Sequence, residues 1–229
     1  GRSFSIYDTD DQRRLMRQLM AEQGVDRKNW NPNKIISRID SAKNKMVSPE
    51  NMGRELRLPA GDPSPKLYQA YQAYLKAANA ADFNDLINLV VKIWTEHPMI
   101  LERYQRRFRY VLVDEYQDTN RAQYQLIKLL GSGHGNVMVV GDDDQSIYGF
   151  RGADVRNILD FQKDFPETRV VRLEQNYRSS ANILKAANSV VKNNSHRMEK
   201  ELWTEDEQGA KLGMLVGRDE GEEANKVLD

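Results

Sequence analysis

The sequence predicts an α/β fold, with a mainly helical segment followed by a layered domain built on a parallel sheet. Two observations support this prediction. Over the first hundred residues, apolar side chains recur at helical spacing between recognisable start and stop signals. From residue 110 onward, short apolar runs rich in Val alternate with helical stretches, and the connections are long enough to cross over a parallel sheet.

Composition excludes several classes of protein. The chain has 229 residues, 39% of them hydrophobic and 30% charged, which is typical of a globular protein with one sizeable core or two modest ones. It contains no Cys, which excludes disulfide frameworks, iron–sulfur clusters and thiol nucleophiles. We expect a cytoplasmic protein with no membrane partner, because no apolar run approaches roughly 18 residues. The 34 basic and 34 acidic residues balance, so any contact with nucleic acid must be local.

Helix signals recur along the first hundred residues. Thr9 or Asp10 is expected to cap the first helix. Later helices are expected to begin after Asn31-Pro32 and Ser48-Pro49, where Pro takes the first helical position. The Pro- and Gly-rich stretch 58–65 predicts an exposed loop. The expected helical positions include Leu15 to Met20, Ile35 to Ile39, Tyr68 to Leu75 and Phe83 to Trp94.

Three apolar runs predict the parallel sheet. Tyr110–Val113 and Val137–Val140 are expected to be buried strands, with a crossover helix over Ala122–Leu130 between them. A helix over Val155–Phe161 is expected to precede a third strand, Arg169–Leu173. Ligands bind outside the carboxyl ends of strands in such sheets, so the residues that follow each strand are the functional candidates.

Two carboxylates follow the first predicted strand. Asp114 and Glu115 suit a magnesium–nucleotide site, in which one carboxylate holds the hydrated metal and its neighbour orients or deprotonates the attacking water. Asp-Glu alone is a weak signal, since surface acids on a loop give the same pattern.

The second predicted strand is followed by an acidic and then an aromatic segment. Asp142 to Asp144, beside Gln145, can face a metal-bound phosphate, and Gln145 is a candidate phosphate sensor. Tyr148 and Phe150, with Arg151 adjacent, form a stacking platform suited to single-stranded bases. The alternative is that both rings pack beneath the loop.

The third predicted strand leads to a ring and a guanidinium group. Tyr177 could stack on a purine while Arg178 clamps a phosphate. Alternatively, Ser179 caps the next helix and Arg178 forms an ordinary salt bridge.

Together these segments resemble the UvrD/Rep/PcrA branch of superfamily 1 DNA helicases. Residues 111–120 are similar to the family's Walker B motif, residues 140–154 to its third motif and residues 175–179 to its fourth. The flanks fit more weakly, at 4–8 and 203–205. The resemblance implies part of a RecA-like, parallel-sheet P-loop NTPase lobe with a mainly helical accessory subdomain. The implied domains are a helical accessory subdomain at 1–80, the distal part of the first RecA-like lobe at 81–172, and the start of the second lobe at 173–229.

The resemblance also implies ATP and Mg²⁺ as cofactors. Asp114 and Glu115 would bind the metal, with Glu115 also acting as general base. Gln145 would couple the γ-phosphate to the loop that contacts DNA. Tyr177 would stack on the adenine, and Arg178 would contact the γ-phosphate.

The implied partners are single-stranded DNA and duplex junctions. Tyr148, Phe150 and Arg151 would contact the single strand. Many family members have Trp where this chain has Phe150, so stacking should survive with a smaller ring. Asn84 stands where the family commonly has Asp, which leaves the role of Asn84 open.

The chain nowhere contains Gly-x-x-x-x-Gly-Lys-Ser/Thr, the loop that holds nucleotide phosphates. We therefore expect a fragment that does not hydrolyse ATP by itself. Its parent is expected to be an ATP-dependent helicase that translocates on single-stranded DNA and unwinds duplexes in DNA repair or replication, with the family's three-prime to five-prime direction. The alternatives are a helicase–nuclease of the AddA or RecB type, a non-catalytic single-stranded DNA-binding module, and a carboxylate-based metal hydrolase.

Overall fold

The computed structural model divides the chain into two compact units, Gly1–Glu167 and Thr168–Asp229. It describes residues 3–194 and 197–228. Within those ranges, no helix has both the length and the apolar character that a membrane crossing requires. The mixed α/β fold that the sequence predicts is confirmed, with two short parallel sheets among many helices.

The first unit begins with a helical half closed by a two-stranded sheet. Its elements are β1 (Ser5–Tyr7), α1 (Thr9–Glu22), α2 (Pro32–Asn44), α3 (Pro49–Glu55), α4 (Ser64–Ala77) and β2 (Ala80–Asp82). β1 and β2 pair in parallel, with Ser5 opposite Ala80. α2 and α3 begin at Pro32 and Pro49, as expected. The cap of α1 is Asp8, which corrects the expectation of Thr9 or Asp10, because the Asp8 side chain accepts from two backbone N–H groups of the first turn.

One apolar core holds the helical half together. Its buried side chains are Leu15, Met16, Leu19 and Met20 of α1, Ile35, Ile39 and Ala42 of α2, Met52 of α3, and Leu67, Tyr68, Tyr71 and Leu75 of α4. The apolar positions recur three and four residues apart along α1, α2 and α4, so each helix turns one face to the common core.

The second half of the first unit contains the predicted parallel strands, but the expectation that they are buried is wrong, since Leu112 is 72% and Met138 57% exposed. Its elements are α5 (Phe83–Glu96), α6 (Pro98–Arg107), β3 (Val111–Val113), α7 (Arg121–Gly131), β4 (Val137–Val139), α8 (Arg156–Leu159) and α9 (Phe161–Asp164). β3 and β4 pair in parallel with Val111 opposite Val137, and α7 is the crossover helix between them. A second core of Tyr116, Tyr124, Ile127 and Phe161 packs on one face of this sheet.

Two predictions for the later chain are wrong. The single helix expected over 155–161 is two short helices, α8 and α9, separated at Asp160. The strand expected over 169–173 does not form, and its apolar side chains are exposed, Leu173 to 77%. In the part of the second unit that the structure describes, Gln175 and Trp203 form one parallel bridge, and the helices are α10 (Ala181–Val191) and α11 (Glu220–Leu228).

Candidate nucleotide and DNA site

The acidic pair lies at the carboxyl end of β3. Glu115 adopts a left-handed backbone conformation, with φ of 50° and ψ of 40°, and its N–H donates to Asp114 Oδ1 at 2.9 Å. Such a conformation is uncommon for a residue other than Gly and costs on the order of 1–3 kcal/mol. Met46, Arg57 and Asn79 also have positive φ, so this conformation defines the turn after β3 but does not by itself mark a functional site.

The loop that follows β4 lies beside this turn. Val140 N–H donates to Val113 O at 2.8 Å, and Tyr116 N–H donates to Val140 O at 3.0 Å. These bonds extend the β3–β4 contact beyond both strands. The residues after β3 and the residues after β4 therefore meet at one edge of the sheet, as parallel pairing requires.

Gln117 connects the two loops, and sequence reasoning missed it. Its side chain is buried. The Gln117 Nε2 group donates to Glu115 Oε2 at 2.7 Å, while Gln117 Oε1 accepts from Asp142 N–H at 3.1 Å. No feature of the sequence distinguishes this amide from its polar neighbours, because its importance comes from burial and from a contact between residues distant along the chain.

The acidic segment after β4 folds back on itself. Asp142 accepts hydrogen bonds from Asp144 N–H at 3.1 Å and from Gln145 Nε2 at 2.7 Å. The carboxylates of Asp142, Asp143 and Asp144 can place oxygens within 4.8 Å of one another. Mg²⁺ prefers carboxylate oxygens, so the donor types at the ends of β3 and β4 fit a magnesium ion.

The aromatic pair after β4 is exposed. The ring centroids of Tyr148 and Phe150 are 5.9 Å apart with the planes tilted by 42°. Phe150 is 80% exposed and Tyr148 38%, so neither ring packs into the core beneath the loop. The side chain of Arg151, the third predicted DNA contact, lies outside the described residues.

A groove of about 1060 Å³ lies beside the aromatic loop. Helices α1 and α2 and residues 55–58 form its walls, and Phe150 lines one part of it. Its charged lining consists of Arg13, Arg38, Lys45 and Arg57, with Asp40 and Glu55. Arg13 is paired with Asp10 at 3.1 Å and Arg38 is paired with Asp62, so the groove lining carries no clear excess of positive charge.

The fourth predicted motif belongs to the second unit. Asn176 Oδ1 accepts from the backbone N–H groups of Arg178 and Ser179, at 2.9 and 2.8 Å. The Tyr177 ring is 80% exposed, and its hydroxyl donates to Gln175 Oε1 at 2.7 Å. α10 follows Ser180 rather than Ser179, and within the described ranges Arg178 forms no ion pair. The turn thus presents both predicted nucleotide contacts, Tyr177 and Arg178, at the surface of the second unit.

Comparison with known families agrees with these motifs. The UvrD/REP helicase N-terminal domain matches residues 1–166, and the UvrD-like helicase C-terminal domain matches residues 171–229. The chain belongs to the UvrD/REP helicase family. The family resemblance predicted from the motifs is confirmed. The division into three domains at residues 80 and 172 stays a prediction.

Several curated relatives are similar along nearly the whole UvrD/REP chain. The ATP-dependent DNA helicase PcrA of Bacillus subtilis (strain 168) is 46% identical over 220 residues, which cover 96% of this chain and 30% of the relative. The PcrA proteins of Leuconostoc citreum and Staphylococcus aureus (strain Mu50 / ATCC 700699) are each 44% identical, over 100% and 99% of this chain and 30% and 31% of the relative. The chain therefore spans about 30% of the length of the curated relatives it matches.

Asn84, whose role the family resemblance left open, lies against a half-buried acid of the UvrD/REP chain. Asn84 Nδ2 donates to Asp40 Oδ1 at 2.9 Å. Burial, and next the nearby charge of Asp82, raise the pKa of Asp40 to about 6. An Asp at position 84 would bring a further carboxylate to this acid, whereas the Asn amide supplies a donor. Asn84 therefore suits a position beside a desolvated carboxyl group.

A buried ion-pair network lies next to Asp40. Lys43 is fully buried, and its Nζ contacts Asp82 Oδ2 at 2.6 Å and Asp85 Oδ1 at 2.8 Å. The Tyr71 hydroxyl donates to Asp82 Oδ2 at 3.1 Å. Asp82 and Asp85 also form the capping box of α5. The network therefore fixes the end of α2 to the start of α5, and the sequence reasoning did not identify it.

Proposed function

We propose that the chain is part of an ATP-dependent DNA helicase, in which ATP hydrolysis drives movement along single-stranded DNA and separation of duplexes. The observation that carries this proposal is the loop after β4. It begins with Asp142, which contacts the acidic turn after β3 through Gln117, and it continues to the exposed rings of Tyr148 and Phe150. One short segment thus carries groups suited to a nucleotide and groups suited to bases.

On the nucleotide side, Asp114 and Glu115 would hold Mg²⁺, and Glu115 would also accept a proton from the attacking water. Mg²⁺ neutralises charge on the phosphates and orients them when bound. Gln145, whose amide donates to Asp142, senses the γ-phosphate. For the second unit by itself, the proposed roles are stacking of Tyr177 on an adenine and contact of Arg178 with a γ-phosphate, as in an arginine finger.

On the DNA side, Tyr148, Phe150 and Arg151 contact the single strand near a duplex junction. Base stacking on aromatic rings tolerates any sequence, which suits an enzyme that moves along DNA. We further propose that the protein acts in the cytoplasm, in DNA repair or replication, and moves in the three-prime to five-prime direction.

The test is ATP hydrolysis by the complete protein carrying Glu115→Gln. A positioned general base contributes about 100- to 10,000-fold to the rate, so kcat should fall within that range, while binding of single-stranded DNA persists. Glu102→Gln, on the exposed surface of α6, is the matched control and should keep the wild-type rate. A Glu115→Gln enzyme that turns over at the normal rate would remove the base assignment.

A second candidate applies to the 229 residues by themselves, since their sequence lacks the phosphate-binding loop while the aromatic pair is exposed. They would bind single-stranded DNA without hydrolysing ATP. Stacking on a ring is worth about 1–3 kcal/mol per base, so Phe150→Ala should weaken binding of a fluorescent oligonucleotide roughly 5- to 150-fold. Tyr110→Ala removes a ring that is 73% exposed elsewhere and should leave affinity unchanged. Equal losses in the two variants would contradict the assignment of Phe150.

A further inference from the structure

The nitrogen and the oxygen of the Gln117 side-chain amide each form a hydrogen bond, one with the loop after β3 and the other with the loop after β4. The exposure of Gln117 is 1%. The Nε2 group donates to Glu115 Oε2 at 2.7 Å and lies 3.5 Å from Asp118 Oδ2, while Oε1 accepts from Asp142 N–H at 3.1 Å. A carboxylate only accepts and a backbone N–H only donates, so these partners define which end of the amide faces which loop.

The surroundings of Gln117 hold the amide in that orientation. A Cβ added at Gly141 would overlap Gln117 Oε1 and would lie 2.9 Å from Ile158 Cδ1, so the backbone after β4 packs directly on the amide. Ser146 Oγ donates to the Gln117 backbone carbonyl at 3.3 Å, which adds a second contact from the same loop. Movement of the loop after β4 must therefore displace the amide or break its bonds.

We infer that Gln117 is a positioning residue, which orients the Glu115 carboxylate and links its position to the state of the DNA-contacting loop. The inference rests on the proposed function, because it assigns Glu115 as the base. Gln117 holds Oε2 of Glu115, which leaves Oε1 to face a water. It also holds Asp142, whose carboxylate accepts from Gln145 three residues before Tyr148. Hydrogen bonds thus run from the base through Gln117 and Asp142 to Gln145, and the exposed rings follow a few residues later along the chain.

The inference predicts a specific kinetic defect in the complete protein. Gln117→Met keeps the length and volume of the side chain but removes both hydrogen bonds. Loss of a residue that orients a reacting group typically costs about 10- to 100-fold, so kcat should fall by that factor, with KM for ATP within about twofold of wild type. The ratio of hydrolysis rates with and without single-stranded DNA should fall as well, because the link to the loop is lost.

Two further variants separate positioning from folding. Gln117→Glu keeps an acceptor for Asp142 N–H but places a carboxylate against Glu115, so it should lower kcat even where the fold is intact. Gln12→Met makes the same change at a buried Gln of α1 and should keep wild-type kcat and DNA stimulation. Far-UV circular dichroism of each variant reports the fold.

The deciding measurement is a double-mutant cycle with Glu115→Gln. If Gln117 acts through Glu115, adding Gln117→Met to Glu115→Gln should change the residual rate by less than about twofold. A further loss as large as in the single Gln117→Met variant, or wild-type turnover by that variant, would overturn the inference. Wild-type turnover by Glu115→Gln would instead refute the proposed base, so the two failures are distinguishable.

Discussion

Replacing Lys43 with Met removes the cation that lies between the carboxylates of Asp82 and Asp85, at 2.6 and 2.8 Å. Met has nearly the same length and fills the same space, so the change leaves little cavity. The charge is therefore what the substitution alters. Both acids are buried, with exposures of 1% for Asp82 and 4% for Asp85, and solvent cannot replace the lost ammonium group.

The expected loss follows from these contacts. Removing one partner of a buried ion pair costs about 3–5 kcal/mol, because a charge stays buried without compensation. The Tyr71 hydroxyl still donates to Asp82, and Gln72 Nε2 still donates to Asp85 at 3.2 Å. These remaining donors favour the lower end of the range, or about 3 kcal/mol. Such a loss is a large fraction of the roughly 5–15 kcal/mol that stabilises a typical domain.

Urea unfolding at pH 7.5, followed by far-UV circular dichroism, measures the effect of Lys43→Met. Lys92→Met is the matched control, because Lys92 is 64% exposed and lies 3.9 Å from Glu96 on the surface of α5. Surface pairs of this kind contribute about 0–1 kcal/mol, so the control should stay close to wild type. A loss below about 1 kcal/mol for Lys43→Met would refute the argument that this cation neutralises the two buried acids.

Two other substitutions give further predictions. Because the pKa of Asp40 is about 6 in the folded chain and about 3.9 in an unfolded one, the contribution of Asp40 to stability should fall as pH rises from 4 to 7. Asp40→Asn should remove about 2 kcal/mol of that loss, and urea unfolding at pH 4 and pH 7 that shows the same pH dependence as wild type would contradict this. Gly131→Ala should cost about 1–3 kcal/mol, since its Cβ would overlap Val137, whereas Gly149→Ala meets nothing within 4 Å and should be near neutral in the same assay.

The sequence predicted those elements whose signal is local. Pro at a first helical turn located the starts of α2 and α3, and Val-rich runs located β3 and β4. β1 and β2 were not predicted as strands, because three residues are too few for a period. Their pairing joins Ser5 to Ala80 across the whole helical half. These strands therefore form because each has a pairing partner, and not because of their own composition.

Residues 169–173 show that strand-like composition without a pairing partner does not form a strand. Residues 169–173 have the composition of a strand, yet composition does not provide a partner. In the second unit the pairing falls instead on Gln175 and Trp203. A strand is defined by hydrogen bonds to a neighbour, so an isolated apolar run can be extended and exposed without being one.

Some residues of the candidate site have a local sequence signal, and others depend on contacts between distant parts of the chain. Motifs made Asp114, Glu115 and Gln145 candidates because strand ends and their spacing can be read locally, and their roles stay predictions. Lys43 had a usable signal, since it continues the apolar face of Ile35 and Ile39 at intervals of four residues, where a cation predicts a buried acidic partner. Gln117 had no such signal, because its role depends on a contact with Asp142 across the sheet edge.

The end of α2 connects the stability of the helical half to the proposed DNA site. Lys43 fixes this end to α5, and the next residue, Asn44, accepts from Asn120 Nδ2 at 3.1 Å, at the cap of α7. A Cβ added at Gly152 would lie 3.0 Å from Asn44 Cβ, and the φ of Gly152 is +87°, so the aromatic loop approaches α2 at a position that favours glycine. Phe150 is two residues away in that loop. The ion-pair network therefore positions one wall of the groove that Phe150 lines, and its loss is expected to alter DNA binding as well as stability.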